Sequence, residues 1–247
     1  MKKLFFSLLL LLGVFGTLNA KTITADYKVD FGIIGEIGVA KAKLTQDGKN
    51  YVIDVELEST GIAKTLSGNR KEHHISKGHF ENGVMVADLY QIIKSHGRIT
   101  INKVYRINHK KKIVTKKYKE WKKDKLVSEE NSTMDYYSKN DLLTLYFNLN
   151  EIIKDKTKSK KYILLAVGAE KQHGEVEIVI PNQNELKEFK EMLGENKDVW
   201  YARAIIHQSI FSSDKGELLL RIGNDGITQN AVLKDLIFFG DIRAKRL

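Results

Sequence analysis

Apolar and polar residues alternate along most of this chain with a period of two. In Tyr51-Val52-Ile53-Asp54-Val55-Glu56-Leu57-Glu58, Tyr51, Ile53, Val55 and Leu57 share one side while Asp54, Glu56 and Glu58 share the other. That alternation predicts a strand with one buried and one wet face. The preceding Gln46-Asp47-Gly48-Lys49-Asn50 is a hairpin signal, joining it to a strand over 36–44. Similar segments cover 71–80, 84–93, 98–107, 113–121, 126–134, 162–167, 175–180, 199–208, 217–222 and 227–239. The turns between them are short and rich in Asn, Asp and Gly, as at Glu81-Asn82-Gly83 and Asn224-Asp225-Gly226. Hairpin-linked strands at this spacing predict an antiparallel meander, and a sheet of about ten strands curls or closes rather than staying flat.

Two segments change period. Asp141 stands as an N-cap before Leu142, Leu145, Tyr146 and Leu149, a stripe at helical spacing. After Pro181, Asn182 and Glu185 form a capping-box pattern, Leu186, Phe189 and Leu193 line one face, and Gly194 ends the segment. Both stripes read as core-facing. The expected fold is mainly β: one antiparallel meander in a strongly curved sheet or partly open barrel, with two short helices. The helix from Asp141 is expected to cover the concave side. By analogy of architecture alone this is the lipoprotein-carrier type of fold. With one proline and no low-complexity linker, residues 21–247 read as one domain.

Residues 1–20 differ from everything after them. Lys2-Lys3 precede an apolar run from Leu4 to about Phe15, and Thr17-Leu18-Asn19-Ala20 closes the segment before Lys21. This is the pattern of a secretory signal peptide. The run is short of the roughly 20 apolar residues that a membrane helix needs, so no transmembrane segment is expected in the mature chain. The expected location is the periplasm, or beyond the cell. The chain has no cysteine, which argues against a lipid-anchored start and against a disulfide framework. About 70% of the unfolded surface of a chain this long is buried on folding, so packing alone can hold it.

Formal net charge is +10, and most of the 41 basic residues are lysine. Readers of phosphate and nucleic acid lean on arginine for bidentate contacts, so the balance fits solubility better than nucleic-acid binding. Lysines crowd between Lys110 and Lys125. Lys116, Lys117, Lys119, Trp121, Lys122 and Lys123 form a basic surface patch, where lysine beside aromatics could grip a lipid headgroup, an anionic glycan or an acidic envelope protein. The same lysines could instead guard an edge strand.

Catalytic and metal chemistry lack their usual patterns. His73 and His74 point to opposite faces of a strand, and neither a cysteine nor an HExxH pair helps to build a metal site. Gly32-Ile33-Ile34-Gly35-Glu36-Ile37-Gly38 has the wrong spacing for a dinucleotide loop. Asp54 and Glu56 sit on an open strand face, and no GxSxG elbow occurs. The expectation is therefore no enzyme, no cofactor and no metal.

Four segments resemble the DUF3108 family, exported bacterial proteins of uncharacterised function. Tyr27-Lys28-Val29-Asp30-Phe31-Gly32 with Gly35-Glu36 is similar to the family's opening strand, and Glu58-Ser59-Thr60-Gly61-Ile62-Ala63 to the end of the next. Asp141-Leu142-Leu143-Thr144-Leu145-Tyr146 resembles its helix start. Gly226, Ala231-Val232-Leu233-Lys234-Asp235 and Phe239-Gly240 resemble its final strand. The resemblance implies a mostly β envelope protein and carries no catalytic residues.

The leading expectation is a non-enzymatic periplasmic binding or assembly factor, holding an apolar or lipid-like ligand against inward residues such as Tyr51, Ile53, Val55, Leu57 and Trp200. A second is an interaction module docking on an outer-membrane, secretion or flagellar assembly through the basic hairpin. A third is an enzyme acting on glycan or lipid.

Overall fold

The computed structural model describes residues 20–207, 215–236 and 240–247. The leader read from the sequence lies outside them, apart from Ala20. Among them fourteen strands form one antiparallel sheet. The first eight are β1 (Lys21–Phe31), β2 (Gly35–Asp47), β3 (Asn50–Ser59), β4 (Lys71–Glu81), β5 (Val84–His96), β6 (Ile99–Asn108), β7 (Ile113–Lys122) and β8 (Lys125–Thr133). The remainder are β9 (Lys160–Leu165), β10 (Glu175–Ile180), β11 (Val199–His207), β12 (Lys215–Gly223), β13 (Thr228–Leu236) and β14 (Gly240–Arg246). Sequential strands pair along two meanders, β1 to β8 and β9 to β14, and β14 joins the meanders by pairing with β1. The sheet therefore begins and ends on β8 and β9, which do not pair.

Local chemistry accounts for the hairpins. Asp47 pairs with Asn50 across Gly48-Lys49, and Gly48 has φ 57°, the left-handed backbone that such a two-residue loop requires. Among the described residues three α-helices break the meander: α1 (Gly61–Leu66), α2 (Leu142–Ile152) and α3 (Gln183–Leu193). Both helices expected from the sequence are present with their caps. Asp141 accepts a hydrogen bond from the Thr144 amide, and Asn182 and Glu185 close a reciprocal capping box.

Three features differ from the expectation. Among the described residues fourteen strands form rather than about ten, and 227–239 is not one strand. That region holds β13 and leads into β14, with residues 237–239 outside the description. A third helix, α1, joins the two expected and takes the segment read as a strand end: it spans six residues and buries none of them, so no apolar stripe advertises it.

α2 lies inside the curve. Leu145, Leu149 and Ile153 pack with Ile178, Ala204, Leu220 and Ile222 of β10–β12. Leu143 and Phe147 pack against Ile53 and Met85 on the other half of the sheet. One short helix thus bridges strands far apart in sheet order, which is what a sheet curled around it requires. α3 packs on the outer face through Phe189 and Leu193 against Tyr201, Leu219 and Val232.

Candidate functional site

Strand register places a polar group inside the curve. On β4–β7 the inward positions follow the pleat: Ser76 opposite Tyr90, His74 opposite Ile92, Glu72 opposite Lys94, Tyr90 opposite Tyr105, Ile92 opposite Lys103, and Tyr105 opposite Lys116. Glu72, His74, Lys94, Lys103, Tyr105 and Lys116 therefore share a face with the buried Tyr90 and Ile92. The facing strands β10–β12 present aliphatic side chains.

Between the two halves lies a cavity of about 660 Å³. One wall carries His74, Lys94, Lys103 and Tyr105. The other carries Val176, Ile178, Leu218 and Leu220, and α2 contributes Leu145 and Leu149. Gly168 through Gln172 close one side. The size falls within the ~300–1,000 Å³ of small-ligand sites, and an apolar lining with a few convergent polar groups is their usual chemistry.

Two carboxylates organise the polar wall, and each gathers more than one cation. Glu170 accepts from Lys103 Nζ at 3.0 Å, from Lys116 Nζ at 2.6 Å and from the Tyr105 hydroxyl. Burial opposes its ionisation, but these donors prevail and hold its carboxyl down to about 2. Glu72 accepts from Arg70 at 2.5 Å and Lys94 at 2.9 Å, and pairs with His74 Nε2 at 3.1 Å. Here too burial is overcome, and the carboxyl stays well below the usual range. Burial and the neighbouring Glu170 keep the Tyr105 phenol protonated far above its ordinary range.

Behind this wall a second network ties α2 to the sheet. Asp141 is fully buried, and its Oδ2 accepts from Ser76 Oγ at 2.5 Å. Thr144 Oγ1 lies 2.9 Å from Ser76 Oγ and 2.7 Å from the Tyr51 hydroxyl. Desolvation lifts the Asp141 carboxyl from 3.8 to about 6, against the hydrogen bonds that favour its charge.

The five side chains expected to touch a ligand lie away from the cavity wall. Tyr51 and Ile53 are buried in a cluster with Met85, and Val55 packs at its border. Leu57 is exposed. Trp200 is buried among β10–β12 residues and α2, and its Nε1 donates to Asn150 Oδ1 at 2.9 Å. Tyr51, Ile53, Val55 and Trp200 serve as core, the other meaning of an inward apolar residue, whereas Leu57, expected inward with them, faces solvent. The cavity instead uses polar residues on the inward phase of β4–β6. Lys94 and Lys103 fall in step with Tyr90, Ile92 and Tyr105, and that phase was the available signal.

The basic hairpin divides by face. Lys116 turns inward to Glu170, while Lys117 and Lys119 both pair with Glu129 on β8, at 2.8 and 3.4 Å. Trp121 is half-buried, and Lys122 and Lys123 stand exposed at the turn. The histidines divide likewise: His74 faces the cavity, whereas His73 Nε2 meets Asp54 Oδ1 at 2.9 Å on the other face. Asp54, Glu56 and His73 each bring one ligand atom within 4.8 Å of the others. In register, Lys43 and Lys41 sit opposite Asp54 and Glu56, so two cationic residues share that face with the carboxylates.

No family model matches the chain, and no curated protein matches it. The DUF3108 resemblance accordingly rests on the four motifs quoted above. The chain is similar to a crystal structure of a beta-barrel-like protein of domain of unknown function DUF1849 from Brucella abortus. The TM-score is 0.49 at 10% identity, over 92% of this chain and 95% of that one. Among the described residues no helix is long and apolar enough to cross a membrane.

Proposed function

We propose that this chain is a non-enzymatic binding module of the bacterial envelope, exported by the leader at 1–20, that holds a small ligand inside its curved sheet. The observation carrying this reading is the 660 Å³ cavity between the lysine-bearing wall of β4–β6 and the aliphatic wall of β10–β12. A closed core would have filled that space, since protein interiors pack to near-crystal density.

The non-enzymatic reading draws support from the titratable groups. General acid–base work favours a group poised near the working pH and within reach of substrate. Glu72 and Glu170 are held anionic far below that range, and Tyr90 and Tyr105 are held protonated far above it. Among the carboxylates Asp141 is raised toward neutrality, yet it is sealed from solvent beside Ser76, and the cavity's His74 has both ring nitrogens engaged, by the Tyr90 hydroxyl and by Glu72. The export signal and the DUF3108-like motifs favour the periplasm as the place of work.

The test is native mass spectrometry of protein purified from its own host, beside an Ala204→Phe variant. Ala204 lines the cavity, so a phenyl ring there intrudes on it and narrows the space beside the aliphatic wall. The expected result is a bound small-molecule mass on the wild type that the variant loses while keeping its fold. A bare wild type, or a ligand retained by the variant, would overturn the reading.

A further inference from the structure

The cavity's charges do not balance, and the excess has one sign. Glu72 is shared by Arg70 and Lys94, and Glu170 by Lys103 and Lys116, so two carboxylates face four full cations. Lys171 also lines the cavity and forms no ion pair among the described residues. Lys94 and Lys103 are the two cations that the strand wall presents to the cavity, with side chains 37% and 32% exposed. They are diagonal neighbours: Lys94 pairs in register with Ile101, and Lys103 lies two residues further along the same face of β6. Diagonal neighbours lie within reach of long side chains, so one group can meet both ammonium heads. Surplus positive charge partly withdrawn from water favours an anion.

The opposite wall has the opposite character. Leu145, Leu149, Val176, Ile178, Leu218 and Leu220 offer an aliphatic surface without a charge. An apolar body against that surface is withdrawn from water in proportion to its area. We infer that the cavity takes a single-chain amphiphile, its anionic carboxylate or phosphate head between Lys94 and Lys103 and its hydrocarbon tail along α2 toward β10–β12. The volume suits one small molecule rather than a partner's polypeptide segment. Lysine suits the head as a mobile point charge that either oxyanion can satisfy. This inference rests on the binding reading above and adds the ligand's polarity and direction.

The probe is parinaric acid, which fluoresces in apolar surroundings, compared with its uncharged methyl ester. The acid should bind about tenfold more tightly than the ester, the difference expected of a charge-assisted contact. In the Lys94→Gln/Lys103→Gln variant that preference should vanish, with ester binding and melting temperature kept as controls of the fold. Should the variant not fold, salt serves on the wild type: added chloride should weaken the acid and leave the ester unchanged. Palmitate or hexadecyl phosphate should displace the probe, the stronger naming the head, and hexadecanol should compete poorly. Equal binding of acid and ester would overturn the head assignment and leave the cavity reading standing. Binding of neither would sink both.

Discussion

Ser76 on β4 donates to the Asp141 carboxylate at the start of α2 across 2.5 Å, joining residues 65 positions apart. The bond makes the N-cap of the internal helix part of the sheet, so the helix cannot shift without exposing a buried polar network. It also sets a pH dependence. Burial lifts the folded-state pKa of Asp141 above its unfolded value, so the folded state holds the proton more tightly. Stability from this group is present below the unfolded value of 3.8 and is lost as pH rises toward about 6. Asp141→Asn keeps a capping oxygen and a partner for Ser76 but removes the charge. Its melting temperature should fall less than the wild type's between those two pH values. Asp141→Ala loses the cap, worth about 1 kcal/mol, and should share the Asn variant's flatter profile, so its deficit against the wild type narrows as pH rises from 3.8 to about 6. Parallel curves for wild type and Asn variant would refute the burial argument.

Glu170 should behave with the opposite sign. Its folded pKa is depressed from 4.5 to about 2, so its contribution is present above 4.5 and disappears as pH falls through 2. Glu170→Gln leaves Lys103 and Lys116 without their shared carboxylate and should cost roughly 1–3 kcal/mol at neutral pH. The gap between variant and wild type should close in strong acid. Calorimetry across that range decides the matter, and a variant as stable as wild type at pH 7 would show the cluster to be energetically idle.

The basic hairpin yields a paired test because its lysines face different ways. Lys116→Glu would place a second carboxylate against Glu170 and should lower the melting temperature markedly. Lys122→Glu/Lys123→Glu alters exposed turn residues and should change stability by no more than about 0.5 kcal/mol. If the turn docks on anionic partners, the double reversal weakens envelope association in cell fractionation. Unchanged fractionation would remove the hairpin from the binding account.

Local features were legible in the sequence. The alternation around Tyr51 and Ile53, the Asp141 cap and the Asn182–Glu185 capping box each depend on neighbours a few residues away, and each forms as read. α1 leaves no helical signal in the sequence because Ile62 and Leu66, its apolar pair, lie exposed and no stripe meets the core. The cavity was illegible for a different reason. It exists because β4–β6 curl round to face β10–β12, and no period in a single chain reports which strands meet across a curve. Alternation identifies inward residues without saying whether they touch one another or empty space. Tyr51 and Trp200 touch neighbours, whereas Lys94 and Lys103, polar on an inward phase, mark the space.

Gly78 shows how closely β4 approaches its surroundings. It lies opposite Tyr51 in register, at a bulge in the β4–β5 pairing. A Cβ there would fall 2.0 Å from the Val86 carbonyl oxygen and 2.7 Å from the Tyr51 hydroxyl. The carbonyl belongs to the backbone of β5, and the hydroxyl is held by Thr144, so neither can yield cheaply. Gly78→Ala should therefore destabilise by about 3 kcal/mol or more, at the upper end for overpacking. That corresponds to a fall of roughly 6–12 °C in melting temperature for a chain of this size. Gly83→Ala is the control: Gly83 has φ +81° but nothing within 4 Å of the added Cβ. It should cost only the backbone strain of a left-handed alanine, about 1 kcal/mol. If the two variants melt together, the steric argument at Gly78 fails, and with it the claim that Tyr51 is locked between β4 and α2.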